Sequence, residues 1–351
     1  MALRKTKGTR LCLLLLGLLM ALSLGSSAKQ VYHIKMGHVE PMGTPLDQGW
    51  NVFKQYVEAE SGGRIKVEVY PACQLGGMEE LFQSAMTGTL QMAQGDEGAM
   101  ASYYEPFLVA SIPYLFPNEE VGLRFYDSDF FQEVINKGLI ENTGVRFLAG
   151  ASYGFRCWTN NVRPLKEVKD FQGLKLRVMA TPLFIKYVEA LKGGATPISF
   201  AELYSALQQG VVDGQENPVS VIWDQRLYEV QKYLTVDEHV LGVNSMLINE
   251  DFYQSLPDDL KTIILTGARL SAKVETGGRT YQNRISILDI LRKEGMEIYL
   301  PTAEEKELYK KASQKPVVDW LKTVIGEDLV QRTFEVVEAI KAQMLAETKP
   351  F

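Results

Sequence analysis

A few short stretches of the 351-residue chain hold side chains whose types and spacing could do chemistry. In Gly173-Leu174-Lys175-Leu176-Arg177-Val178-Met179, three apolar residues at every second position read as the core face of a strand. Arg177 then points the other way, near the strand's end. Ligands of open α/β sheets bind beyond the carboxyl ends of strands. A guanidinium fixed there can hold a carboxylate through two parallel charge-assisted hydrogen bonds. By spacing alone, a surface ion pair remains the commoner reading of such an arginine. Gly150-Ala151-Ser152-Tyr153-Gly154 fits the G-x-S-x-G pattern, which needs a strand before it and a helix after it. Phe155 to Thr159 reads as more strand, so a turn between strands is expected rather than a nucleophile. Of the three histidines, only His239 follows Ser152 as a hydrolase triad requires. His38-Val39-Glu40 matches the first half of a zinc-deaminase motif whose P-C-x-x-C half is absent. No C-x-x-C, H-E-x-x-H or phosphate-cradling glycine loop occurs, and no metal or cofactor is expected.

The elements that must position these residues begin after a leader. Arg4, Lys5, Lys7 and Arg10 precede the apolar run Leu11 to Leu24, and Ser26-Ser27-Ala28 supplies small residues for cleavage. This predicts a cleaved secretory signal peptide over residues 1–28 and an exported protein. The run is too short for a bilayer span, which takes about 20 apolar residues. Removing those four basic residues from the total of 37 leaves 33 against 43 acids, a formal charge near −10. Such a chain is a poor binder of nucleic acid or anionic membrane. An anionic ligand would need positive charge built into a pocket. Two cysteines follow the leader, Cys73 and Cys157; one disulfide and two separate thiols both fit, the second being the plainer.

Strands and helices then alternate. Tyr32, Ile34 and Met36 share a strand face; Leu46, Trp50, Phe53 and Val57 share a helix face stopped by Gly62-Gly63. Ile65, Val67 and Val69 mark a second strand, Met78 to Thr87 a helix, and Leu90 to Ala93 a third strand. This opening predicts a largely parallel sheet with helices on its faces. Further on, Thr181-Pro182 starts a helix, Ser199 with Glu202 forms a capping box, and Val211 to Gly214 reads as a short strand and turn. Pro257 to about Arg292 is the longest helical stretch, roughly 50 Å, with Gly277-Gly278 as a bend. Thr302 and Glu305 cap another helix.

Gly173 to Met179, Ala206-Leu207-Gln208 and Val212-Asp213-Gly214-Gln215-Glu216-Asn217-Pro218 resemble the solute-binding proteins of tripartite ATP-independent periplasmic (TRAP) transporters, of the dicarboxylate-binding type. Ser61 to Ile65, Gln74 to Gly77 and Pro113 to Phe116 extend the likeness over the exported chain. The resemblance implies an α/β, two-lobed binding protein of type II-like topology, with crossing hinge strands and a long shared helix. The first domain would comprise residues 29–154 plus about 243–282. The second would comprise 155–242 plus about 283–351, with the C-terminal helices.

It also implies a small organic-acid ligand (a C4-dicarboxylate, sugar acid, keto acid or aromatic acid) and membrane permease subunits as partners. Some such proteins dimerise through their last helices. The family's selectivity arginine falls on Arg177, its second arginine on Arg156, its pocket asparagine on Asn217 and its pocket aromatic on Phe200. The gap from Arg156 to Arg177 is one residue longer than the family pattern. Glu97 falls on a first-domain wall position. His38 and Glu40 end the first strand and could reach the same cleft. Trp158, with Tyr103, Tyr104 and Trp223, could stack on an aromatic ligand or fill the core. Rival expectations are a secreted enzyme acting on a small carboxylic acid, and a ligand-presenting partner of a sensor kinase.

Overall fold

Alternation builds the first sheet edge: Ile65 and Val67 are buried while Lys66 and Glu68 face out. The computed structural model describes residues 30–347, so the predicted leader lies outside it. Its strands are β1 (Tyr32–Gly37), β2 (Ile65–Tyr70), β3 (Met92–Gly95), β4 (Val145–Asn160) and β5 (Lys175–Val178). They continue with β6 (Gly194–Pro197), β7 (Gly214–Pro218), β8 (Tyr233–Thr235), β9 (Leu241–Asn249) and β10 (Glu297–Tyr299). Their order is β2-β1-β3-β9-β4-β7-β5-β6, with β8 between β4 and β10. Parallel pairs lie at both ends; antiparallel β9 and β4 form the middle.

The long strand β4 ties two lobes. Val145 to Phe155 pairs with β9, then Arg156 to Asn160 pairs with β7 and its last residues with β8. Apolar side chains of the first lobe, among them Trp50, Phe53 and Ile264, pack between the helix Pro45–Glu60, the sheet and the helix Asp258–Tyr281. Leu203, Ile222 and Leu291 belong to a separate core in the second lobe. The fold is the expected two-lobed α/β arrangement with crossing strands.

The spine is one helical run from Asp258 to Lys293, interrupted by a π turn over Gln282–Ser286 rather than at Gly277-Gly278. Gly278 stays helical and lies against Pro45. The C-terminal helices strap both lobes: Ala303–Ile325 packs on Pro182–Ala190, and Glu327–Glu347 packs on Glu119–Asp127. Several local readings shift. The third strand starts at Met92, and Val211 to Asp213 form a bend rather than a strand, before β7, which carries Asn217. The Thr302–Glu305 capping box forms. At Ser199 the side chain bonds the Glu202 carboxylate at 3.1 Å, and the segment opens as a 3-10 turn over Phe200–Glu202.

The G-x-S-x-G stretch lies wholly inside β4, with no helix after it. Ser152 Oγ accepts from the Gly154 amide at 3.2 Å, and the strand register slips between these residues. Gly154 has φ +107°, and a Cβ there would come within 2.2 Å of Asn283 Nδ2. Cys73 and Cys157 are separate free thiols.

Gly154→Ala should lose about 1–3 kcal/mol of stability in urea unfolding, because it strains a left-handed position and displaces Asn283. Gly277→Ala, with nothing within 4 Å of its added carbon, should be neutral or stabilise by up to about 1 kcal/mol. Equal effects at both positions would refute this account of Gly154.

Candidate ligand-binding site

β5 ends inside the cleft between the lobes. Leu176 and Val178 turn into the core, and Arg177 lines a cavity of about 210 Å³. Its Nε donates to the Ile198 carbonyl at 2.8 Å, which fixes the guanidinium plane. Its Nη1 is buried without any partner. Burial pushes the Arg177 pKa down to about 10, Glu216 pulls it back up and Arg156 lowers it, so the group stays cationic at neutral pH.

Arg156, on β4, lines the same cavity but is already engaged. Its Nε and Nη2 grip the Glu216 carboxylate, Nη1 donates to the Tyr153 hydroxyl at 2.6 Å, and Nη2 reaches Asn217 Oδ1 at 3.1 Å. Burial opposes its charge, yet Glu216, Tyr153 and Glu97 together outweigh that and hold the pKa above the ordinary arginine value. Burial likewise works to raise Glu216, but Arg156 and His239 bring it below the usual carboxylate range. His239 continues the chain, with Nε2 3.4 Å from Glu216 and Nδ1 2.9 Å from Asp237. Asn217 Nδ2 donates to Gln215 Oε1 at 2.6 Å, so its amide is held by neighbours on both sides.

Arg156, Arg177, Asn217, Phe200 and Glu40 thus meet around one cavity. His38, Glu97 and Trp158 lie outside its lining. His38 is buried edge-on to Trp50, with Nε2 3.3 Å from Asp47. Trp158 is buried and stacks on His239 at a ring separation of 4.9 Å. Glu97 accepts the Val243 amide at 2.9 Å and the Tyr126 hydroxyl at 3.4 Å, and burial pushes its pKa up to about 7. Its neighbour Asp96 lines the cavity instead, together with Gln94. Period-two alternation out of β3 places those two on one side, a signal that could have chosen Asp96 over Glu97. Asn244 and Ile198 also line it, without any motif to mark them.

The sequence profile of the bacterial extracellular solute-binding protein family 7 (DctP) matches residues 36–323. The chain belongs to that family. It is 29% identical to the sialic acid-binding periplasmic protein SiaP of Vibrio cholerae over 314 residues, 90% of this chain and 96% of the relative. It is 30% identical to the C4-dicarboxylate-binding periplasmic protein DctP of Rhodobacter capsulatus, covering 89% and 92%. The sugar acid binding protein DctPAm of Advenella mimigardefordensis, solved in complex with galactonate, superposes with a TM-score of 0.83 at 28% identity, covering 89% and 99%. As a family 7 member the protein is a solute-binding transport component, not an enzyme.

Behind Glu40 lies a second buried carboxyl. Asn244 Nδ2 donates to Glu275 at 2.5 Å and contacts Glu40 at 3.4 Å, while Arg279 pairs with Glu40 and Asp224. Burial and the nearby Glu40 charge push the Glu275 pKa up to about 8. An acid whose folded pKa exceeds its unfolded value holds its proton only in the folded state between the two, so stability falls as pH rises through that window. Between roughly pH 4.5 and 8, Glu275 should therefore lower stability by an amount on the order of a few kcal/mol. Glu275→Gln should match the wild type in urea unfolding at pH 5 and exceed it at pH 8. Parallel pH profiles would show that Glu275 titrates normally.

Proposed function

We propose that the protein captures a small organic acid in the periplasm and delivers it to the membrane subunits of a TRAP-type secondary transporter, its first 28 residues directing export. The observation that carries this is the buried Arg177 guanidinium, with one terminal nitrogen unpartnered on the wall of an interlobe cavity. A desolvated cation with spare donors favours a ligand carboxylate, which both neutralises it and satisfies its hydrogens. Asn217 and Arg156 frame the anion, and Phe200 covers it from the second lobe. The cavity is smaller than the ~300–1,000 Å³ of drug-sized sites, which suits a metabolite. The three relatives named above are called binders of sialic acid, C4-dicarboxylates and a sugar acid, and acidity is what these share.

Calorimetry with the acid that gives the largest thermal shift in a library screen tests the anchor. Arg177→Ala should weaken binding by roughly 100-fold or more, since it removes two charge-assisted bonds. The ligand-free variant should be no less stable, because it no longer buries a partly satisfied charge. Wild-type affinity in the folded variant would overturn the assignment.

A further inference from the structure

The titratable side chains lining the cavity are segregated by sign. Arg156 and Arg177 come from β4 and β5 of the second-lobe wall. Glu40, Glu79, Glu80 and Asp96 come from the first lobe, after β1, in the first turn of the helix Met78–Met86 and after β3. No lysine is among the described lining residues. Arg156 is committed to Glu216, and Arg279, behind Glu40, is committed to Glu40 and Asp224. The cavity therefore offers one cation with an open donor.

On the reading of the site given above, we propose that the protein takes acids with a single carboxylate and a hydroxylated body and rejects dicarboxylates, with Asp96 setting that preference. A ligand carboxylate on Arg177 sends the rest of the molecule toward acids, where a second carboxylate would find like charge and no partner. Hydroxyls would find acceptors. Gln94 and Asn244 line the same wall and already bond each other at 2.9 Å. Asn244 spends its amide hydrogens on Glu275 and Glu40, so what it keeps for a guest is acceptor capacity.

Among the acids lining the cavity, Asp96 is the one whose charge acts on Arg177, and it is held in place. Its Oδ1 caps the helix Glu97–Ala101, accepting the Ala99 amide at 2.7 Å. The lobes touch beside it: a Cβ on Gly98 would lie 2.9 Å from Thr181 Oγ1 and 3.3 Å from Asp96 Oδ1. The charged groups around it are Arg156, Arg177 and Glu97, beside the Tyr153 hydroxyl, which burial keeps protonated. Burial raises the Asp96 pKa and both arginines pull it down, so a bound anion that neutralises Arg177 makes a further negative charge here less welcome still.

Matched acids that differ only at the far carbon test this directly: threonate against tartrate, and galactonate against galactarate. Each pair would be titrated by calorimetry into the wild type, Asp96→Asn and Arg177→Ala. Asn keeps the cap and removes the charge. In the wild type the monocarboxylate of the better-fitting pair should bind tighter by roughly tenfold or more. Asp96→Asn should narrow that ratio by roughly fivefold or more, by strengthening the dicarboxylate. A dicarboxylate binding as tightly as its partner, an unchanged ratio in Asp96→Asn, or no binding of either pair would overturn the inference. If Arg177→Ala abolishes binding while Asp96→Asn leaves the ratio intact, the anchor stands and only the selectivity claim falls.

Discussion

A cation kept out of water with part of its hydrogen-bonding capacity unused is the constraint on which the site depends. Arg177 cannot turn away, because Ile198 holds Nε and the strand carries its backbone between β7 and β6. Burying an incompletely paired charge is unfavourable for the empty protein. On the proposed reading of the site, the rest of the fold sustains that strain and an anion relieves it. Two charge-assisted bonds at about 1.5–3 kcal/mol each supply part of the roughly 8 kcal/mol that micromolar binding requires. The remainder has to come from apolar contact and from bonds to the first-lobe wall.

Arg156 shows what Arg177 would become with an acid beside it. Both are buried, both line the cavity, and they lie on adjacent parts of one sheet. The difference is Glu216, which β7 brings alongside Arg156 through the antiparallel pairing of Arg156 with Pro218 and Trp158 with Glu216. His239 and Asp237 then buttress Glu216 from behind. This satisfied chain is a positioning device: it locks Arg156, Tyr153 and Asn217 so that the neighbouring, unsatisfied arginine faces a rigid frame.

What the sequence revealed follows from how local each feature is. Strand alternation at Ile65 and Val67, the helix face Leu46-Trp50-Phe53-Val57 and the Thr302–Glu305 box are set by residues a few positions apart, and they form as read. For Arg177 the apolar neighbours fixed only its direction, spacing alone favouring a surface ion pair; the ligand role came from the family resemblance, and its burial at the cavity is what the structure adds. Glu216 stood in a recognised string, yet nothing local said it would be spent on Arg156, since that depends on the register of strands 60 residues apart. The same holds for His38 and Trp158: polar or aromatic type suggested a cleft, whereas packing against Trp50 and His239 made them core. Glu97 was misdirected by one residue at a strand end, where alternation gives way to a helix cap.

The strand that joins the lobes also carries cavity-lining residues, Tyr153 and Arg156. β4 changes partners at Phe155 and Arg156, directly after the register slip at Ser152 and Gly154. At the same level the spine helix loosens into its π turn, and Asn283 in that turn donates to the Tyr153 carbonyl at 2.9 Å while accepting the Ser220 amide at 2.7 Å. Tyr153 in turn bonds Arg156. Irregular backbone thus occurs in both connecting elements where a side chain bridges them, and π turns and bulges are the places where regular structure can bend without being dismantled. Arg156, which lines the cavity, follows the β4 slip by two residues, and Tyr153, which bonds both Arg156 and Asn283, ties that bend to the π turn.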